Sequence, residues 1–382
     1  MITTATRLHQ VQEYYFSTKL KEVQQLVASG KPVINMGIGS PDMPPAPQVI
    51  ESLYKAMSEP KAHEYQSYQG LPELRAAMKR FYGNHYNIKE ELPIQFLPLM
   101  GSKEGILHVS MAFLNPGDEV LIPNPGYPTY TSVTHLVQAC PVFYDLNEKQ
   151  NWEPDFEALE QMDLSKVKLM WVSYPHMPTG TKGNLNLFKK LVAFAQKHHI
   201  ILVNDNPYSF VLNEQPESIF QVPGGDNVCM ELNSLSKTFN MAGWRVGMIS
   251  GKEEFINAVL KVKSNMDSGM FYGIQKGAIT ALHMGKEWFE EMNEVYKKRR
   301  VLIWELADRL GCTFQEDTAG LFVWAKLPEG EKAEPKVDEI LYNKHVFITP
   351  GTVFGTNGEG YLRFSLCVTE ENIVQAIQRM NS

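Results

Sequence analysis

Positive charge is not in surplus. Lys and Arg number 36 against 43 Asp and Glu, a net charge of −7, so the chain offers no electrostatic footprint for nucleic acid or an anionic lipid surface. Cysteine is scarce: Cys140, Cys229, Cys312 and Cys367 lie far apart and form no CxxC pair. That spacing suggests neither a zinc site nor a disulfide framework, and it fits a reducing cytoplasm. The opening stretch "MITTATRLHQVQEYYF" has no long apolar core and soon turns polar, so neither a secretory leader nor a membrane anchor is expected. Nucleotide loops are missing too. "GIGSPD" contains a GxG without the third glycine, and GxxxxGK[ST] occurs nowhere, which leaves NAD and ATP poorly supported. What remains is a small-molecule partner.

Length and a 43% hydrophobic content allow one or two substantial cores and exclude disorder. Short apolar runs alternate with helical patterns, as in "VKLMWVSYP" (Val167–Pro175), a helix near Leu185–His198, then "IILVNDNPY" (Ile200–Tyr208). This βαβ rhythm predicts an α/β core with a mostly parallel, buried sheet. After a long helical pattern from about Lys286 to Leu310, the runs "GLFVWAKLP", "VFITPG" and "YLRFSLCV" with a last amphipathic helix from Glu370 predict a smaller α+β domain. The Pro and Gly cluster Gly37–Pro47 is a boundary candidate. The run "KKRR" (Lys297–Arg300) reads as a solvated helix face.

Chemistry concentrates in a few stretches. In "NSLSKTFNMAGWRVG" (Asn233–Gly247) a lysine sits among serines with an arginine eight residues on, a poor place for a solvated lysine and a good one for a reactive amine. "VNDNPY" ends a buried strand with Asp205, followed by Tyr208, at the carboxyl edge where α/β sheets bind ligands; alone, such an Asp reads better as a helix N-cap or a loop aspartate. "LMGSKEGI" places Gly101, Ser102 and Lys103 at a strand-to-helix turn whose free N–H groups suit a phosphate. "NPGYPTY" holds Tyr127 in a proline-stiffened turn, where packing is its plain role. Arg363 in "YLRFSL" lies on an apolar strand, where it needs either a salt bridge or a bidentate carboxylate.

Together these stretches resemble the class I and II aminotransferases of fold type I, which use pyridoxal 5′-phosphate (PLP). "NMGIGSPD", "HEYQSYQGLPELRAAM", "GSKEG", "NPGDEVLIPNPGYPTY", "YPHMPTG", "NDNPY", "SLSKTFNMAGWRVG" and "YLRFSL" occur in the family's order along nearly the whole chain. "GSKEG" and "DSGMFYGIQKGA" look most similar to branches that include diaminopimelate and alanine aminotransferases. The resemblance implies a large PLP-binding domain over about 46–283 with a seven-stranded sheet between helices. It further implies an N-terminal arm over 1–45 that contributes to the small domain, and a C-terminal small domain over 284–382.

It also implies roles. Lys237 carries PLP as a Schiff base and, once displaced, acts as base and acid at the substrate's Cα, with pyridoxamine phosphate between half-reactions. Asp205 holds the ring-nitrogen proton, Tyr208 reaches the 3′ oxygen and Tyr127 stacks on the ring. Ser234, Ser236 and Arg245, with Gly101, Ser102 and Lys103, hold the phosphate. Tyr65 matches a tyrosine that reaches the phosphate from the neighbouring subunit, which implies a homodimer with shared sites. Arg363 takes the substrate carboxylate, assisted by the backbone at Ile38 and Gly39. Tyr14, Tyr15 and Phe16 are candidates for the side-chain pocket, or for packing of the arm.

One position departs from the family. Most relatives read Asn before "PTG", where this chain has Met177, and a thioether cannot donate a hydrogen bond. The imine is therefore expected to keep its proton to higher pH than in Asn-bearing relatives; His176 is a weaker candidate for compensation. The same residues also serve PLP-dependent β-lyases, so a C–S or other β-lyase is the alternative reaction. A PLP-sensing regulator ranks lower, because the family pattern begins by about Asn35 without room for a winged helix.

Overall fold

The computed structural model describes residues 2–11 and 15–380, apart from the side chains of residues 16 and 17. The apolar runs become a seven-stranded sheet: β1 (Ile94–Leu99), β2 (Glu119–Asn124), β3 (Cys140–Asp145), β4 (Val167–Val172), β5 (Ile201–Asp205), β6 (Cys229–Ser234) and β7 (Gly247–Lys252). Their spatial order is β1-β7-β6-β5-β4-β2-β3. Only β7 runs antiparallel to its neighbours, so the sheet is mostly parallel and the α/β expectation holds.

Period-two alternation sends successive strand residues into two different cores. Val120, Ile122, Leu169 and Trp171 pack with Ile106 and Val109 of helix Ser102–Phe113 and with Tyr130 and Val133 of helix Pro128–Leu136. Leu121, Met170 and Val172 face the opposite layer, which holds Phe81 and Tyr82 of helix Pro72–Tyr86 and Phe188 and Leu191 of helix Leu185–His198. Both faces are covered, which is why the central strands read as unbroken apolar runs.

A second, antiparallel sheet pairs β8 (Phe322–Lys326) with β9 (Tyr361–Ser365), flanked by Thr313–Phe314 and Thr349–Pro350. Helices Lys286–Arg309 and Glu370–Met380 belong to this smaller unit. Ile34–Asn35 pairs in parallel with Val346–Phe347, so the N-terminal segment is tied to the C-terminal part of the chain. Among the described residues no helix is long and apolar enough to cross a membrane.

The run "KKRR" is not the uniform solvated face expected from composition. Lys297 and Lys298 are exposed, but Arg299 is only 5% exposed. Its guanidinium grips Asp42 with two bonds of 2.6 and 2.8 Å and donates to the Leu366 carbonyl at 3.1 Å; Arg300 donates to the Thr318 carbonyl at 2.9 Å. Consecutive helix residues point about 100° apart, so four like charges in a row necessarily wrap from the solvent side towards the core side.

Candidate active site

Parallel strands end at a common edge. There β1, β2, β4, β5 and β6 terminate and the antiparallel β7 begins, and residues just beyond those ends converge on one cavity of about 490 Å³. Ser102, Lys103, Tyr127, Asp205, Tyr208, Ser234, Ser236, Lys237 and Arg245 line it from the large sheet, Met177 from the segment after β4, Ile38 and Gly39 from the N-terminal segment, and Arg363 from β9. Gly101 stands immediately behind this wall. Its φ is +91°, and a Cβ there would lie 2.1 Å from Arg245 Nη2, so glycine satisfies both the backbone and the close approach of the guanidinium. Tyr65 is the exception: it does not line the cavity of its own chain and is 91% exposed.

The lysine is aimed by a local device. Ser234, the last residue of β6, caps the short helix Leu235–Thr238 by accepting a hydrogen bond from the Ser236 N–H at 3.2 Å. The turn delivers Lys237 into the cavity, where its Nζ donates to the Gly39 carbonyl. Burial lowers the Lys237 pKa, and the nearby cations Arg363 and Arg245 act in the same direction against an opposing effect of Cys367. An ammonium so placed gives up its proton more readily, as a nucleophile and base must.

Asp205 closes β5 and is 5% exposed. Its Oδ2 accepts from the Tyr130 hydroxyl at 2.8 Å, while Oδ1 has no hydrogen-bond partner among the described residues. Burial pushes its pKa up to about 6, tempered by the Tyr130 hydrogen bond. A buried carboxylate oxygen without a donor fits a ligand that brings one. Sequence reasoning missed Tyr130; a buried tyrosine hydroxyl usually finds a partner, but its burial shows only in the fold. Its ring stacks on Trp171 (5.0 Å between centroids, 5° between planes) and meets Tyr127 edge-on (5.6 Å, 89°). Ser173, also missed, donates to the Asp205 carbonyl at 2.9 Å.

A cluster of cations and hydroxyls occupies the same edge. Arg245 donates to the Ala242 carbonyl at 2.9 Å and to Ser236 Oγ at 3.4 Å. Lys103, in the first turn of helix Ser102–Phe113, has its pKa lowered by burial and then by Arg245. Two like charges held beside a helix N-terminus are a receptor for a phosphate. A proton donor for Asp205 and a phosphate for this cluster are the two ends of PLP, and the donor set fits that group.

Arg363 is buried on β9. Its Nη2 donates to the Gly37 carbonyl at 2.7 Å, and Nη1 lies 3.5 Å from Met177 Sδ. The guanidinium carbon sits 3.9 Å from the Phe322 ring centroid and 4.6 Å from that of Phe354. Phe322, Phe354 and Leu20 line the cavity and were not singled out from sequence. His176 does not line it; it is buried, bonds Thr179 Oγ1 through Nδ1 at 2.8 Å, and has its pKa pushed down to about 3 by burial. Tyr15 lines an adjacent cavity that shares Tyr127 and Phe354. Tyr14 and the Phe16 side chain lie outside the described residues.

Residues 31–380 match the family model for aminotransferase class I and II. The chain belongs to the class I and II aminotransferases. It is a PLP-dependent transaminase of fold type I. It is 36% identical to the LL-diaminopimelate aminotransferase of Aquifex aeolicus, over 100% of this chain and 99% of that protein. Identity to the enzyme of the same name from Dehalococcoides mccartyi (strain ATCC BAA-2266 / KCTC 15142 / 195) is 38%, over 98% and 97%. Among solved structures, apo-BacF from Bacillus subtilis superposes with a TM-score of 0.94 at 33% identity, covering 100% of this chain and 98% of that one. A Thermus thermophilus aspartate aminotransferase mutant, at 24% identity and a TM-score of 0.90 over 99% of both chains, shares the fold.

Proposed function

We propose that this one cavity moves the amino group of an L-amino acid to a 2-oxo acid, with Lys237 shuttling the proton at the substrate's Cα. The observation that carries the reading is the convergence of Lys237, Asp205, the Arg245 cluster and Arg363 on a single space. Bound PLP supplies an electron-withdrawing ring that stabilises negative charge at Cα. Asp205, with its open Oδ1, would hold a proton on the ring nitrogen, Tyr208 would orient the 3′ oxygen, and Tyr127, braced edge-on by Tyr130, would pack on the ring. Gly101, Ser102, Lys103, Ser234, Ser236 and Arg245 hold the phosphate. Lys237, with its lowered pKa, would accept the Cα proton and return it two atoms away, on the far side of the amino nitrogen. Arg363 clamps the α-carboxylate, with the backbone at Ile38 and Gly39 beside it, and Met177 flanks the clamp.

The working unit in this reading is a homodimer in which Tyr65 reaches the partner's phosphate. Support comes from its exposure: Tyr54, Met57, Tyr68 and Phe271 are also large, apolar and exposed, and Met57 and Phe271 lie together beside Gly273. The arm over 1–45 and the small domain over 284–382 close on the large domain over 46–283. The four free thiols are compatible with a cytoplasmic enzyme.

The test is to mix PLP-loaded protein with an amino acid and a 2-oxo acid while assaying oxo acid and ammonia. One new oxo acid per amino acid consumed, with no ammonia, is expected, and Lys237→Ala abolishes turnover. Sustained ammonia release would replace this reading with a β-lyase.

A further inference from the structure

We infer that the amino donor of this enzyme carries an uncharged, largely apolar side chain; the inference rests on the proposed roles of Arg363, Lys237 and Asp205. The walls around the carboxylate clamp are apolar. Phe322 and Phe354 lie against the Arg363 guanidinium at 3.9 and 4.6 Å, and the Met177 sulfur is 3.5 Å from Nη1. Leu20 and Ile38 line the same cavity. A substrate whose carboxylate sits on Arg363 therefore projects its side chain among rings, a thioether and aliphatic groups.

The charges lining the cavity reinforce this. They are Lys103, Lys237, Arg245 and Arg363 against Asp205, the one acid among the described lining residues. Asp205 is committed to Tyr130 at 2.8 Å on one oxygen and to the ring nitrogen on the other. With the phosphate and α-carboxylate bound, a side-chain ammonium would find no open carboxylate among the described lining residues, and it would lose its water against apolar walls. A side-chain carboxylate meets the same desolvation, while the cations that would attract it serve the phosphate, the α-carboxylate and the proton transfer. The distal ammonium and carboxylate of diaminopimelate combine both problems. An aromatic, leucine-like or methionine-like side chain meets neither, and burying it against these walls is favourable. The donor class then differs from the one in the names of the relatives 36 and 38% identical.

The experiment is the single-turnover half-reaction of the full-length PLP-loaded protein, followed by absorbance with no acceptor present. The panel is phenylalanine, leucine, methionine, glutamate, lysine and LL-diaminopimelate. Rates per concentration about 100-fold higher for the apolar donors than for lysine and LL-diaminopimelate are expected. If a charged donor is fastest, the inference falls and the aminotransferase reading stands; if no amino acid reacts, both fall. Leu20→Glu provides a second arm, read as binding of unreactive α-methyl-lysine and α-methyl-phenylalanine by the spectral shift. The added carboxylate is expected to shift the affinity ratio towards the lysine analogue by about tenfold. An unchanged ratio, or α-methyl-lysine already the tighter ligand of the unsubstituted protein, overturns the inference.

Discussion

Asp205 is kept at a cost to the empty protein, and the cost is measurable. Its carboxyl is raised from the ordinary 3.8 to about 6 by burial, so the folded chain holds this proton more tightly than the unfolded chain does. Between about pH 4 and 6 the native state therefore binds more protons, and stability falls as pH rises. At roughly 1.4 kcal/mol per pH unit the loss reaches about 3 kcal/mol and is constant above the folded pKa. Asp205→Asn removes the titration but leaves an oxygen to accept from Tyr130. The PLP-free variant should thus match the unsubstituted protein near pH 4 and exceed it by about 3 kcal/mol at pH 7–8. Urea unfolding of both PLP-free proteins at each pH unit from 4 to 8 measures this. With saturating PLP the order should reverse, because the unsubstituted protein gains stability in proportion to the logarithm of ligand over Kd and the variant binds less tightly. Parallel curves across this range, or a gap that widens towards acid, would refute the reasoning.

Tyr130→Phe keeps the ring stacked on Trp171 and deletes the hydroxyl at 2.8 Å from Asp205. A hydrogen bond to a charged group contributes about 1.5–3 kcal/mol, so the Asp205 pKa should rise further and PLP binding at pH 7 should weaken about tenfold. A fluorescence titration showing unchanged affinity would remove Tyr130 from the site. Arg299→Ala strands Asp42, and because that carboxylate is partly exposed the loss should be about 2–3 kcal/mol, below the value for a fully buried pair. A thermal shift of under a degree would contradict the clamp. In the family pattern position 177 adjoins the PLP 3′ oxygen; on that reading Met177→Asn adds a donor there, and the pH midpoint of the loaded protein's visible absorbance should move down. A midpoint that stays or rises would show that the thioether is not responsible.

Local signals settled a great deal. Runs such as Val167–Val172 and Ile201–Asp205 declare buried parallel strands because period and composition act over a few residues. The Ser234–Lys237 turn and the Gly101–Lys103 helix start are likewise local, since a cap or an N-terminus is made by neighbours in sequence. Pairings between distant segments were another matter. The Tyr130 hydroxyl meets Asp205 across 75 residues, Arg299 meets Asp42 across 257, and Arg363 meets the Gly37 carbonyl across 326. Nothing in the composition of "KKRR" separates the buried arginine from its exposed neighbours, because that choice depends on where the helix axis lies against the N-terminal segment. The sequence by itself determined the main elements and the motifs that identify the family, and it singled out Lys237, which the fold places in the cavity. Only the tertiary structure decided which oxygen of Asp205 is left open, what grips the N-terminal segment and what walls Arg363, because each is set by packing between elements that no local pattern encodes.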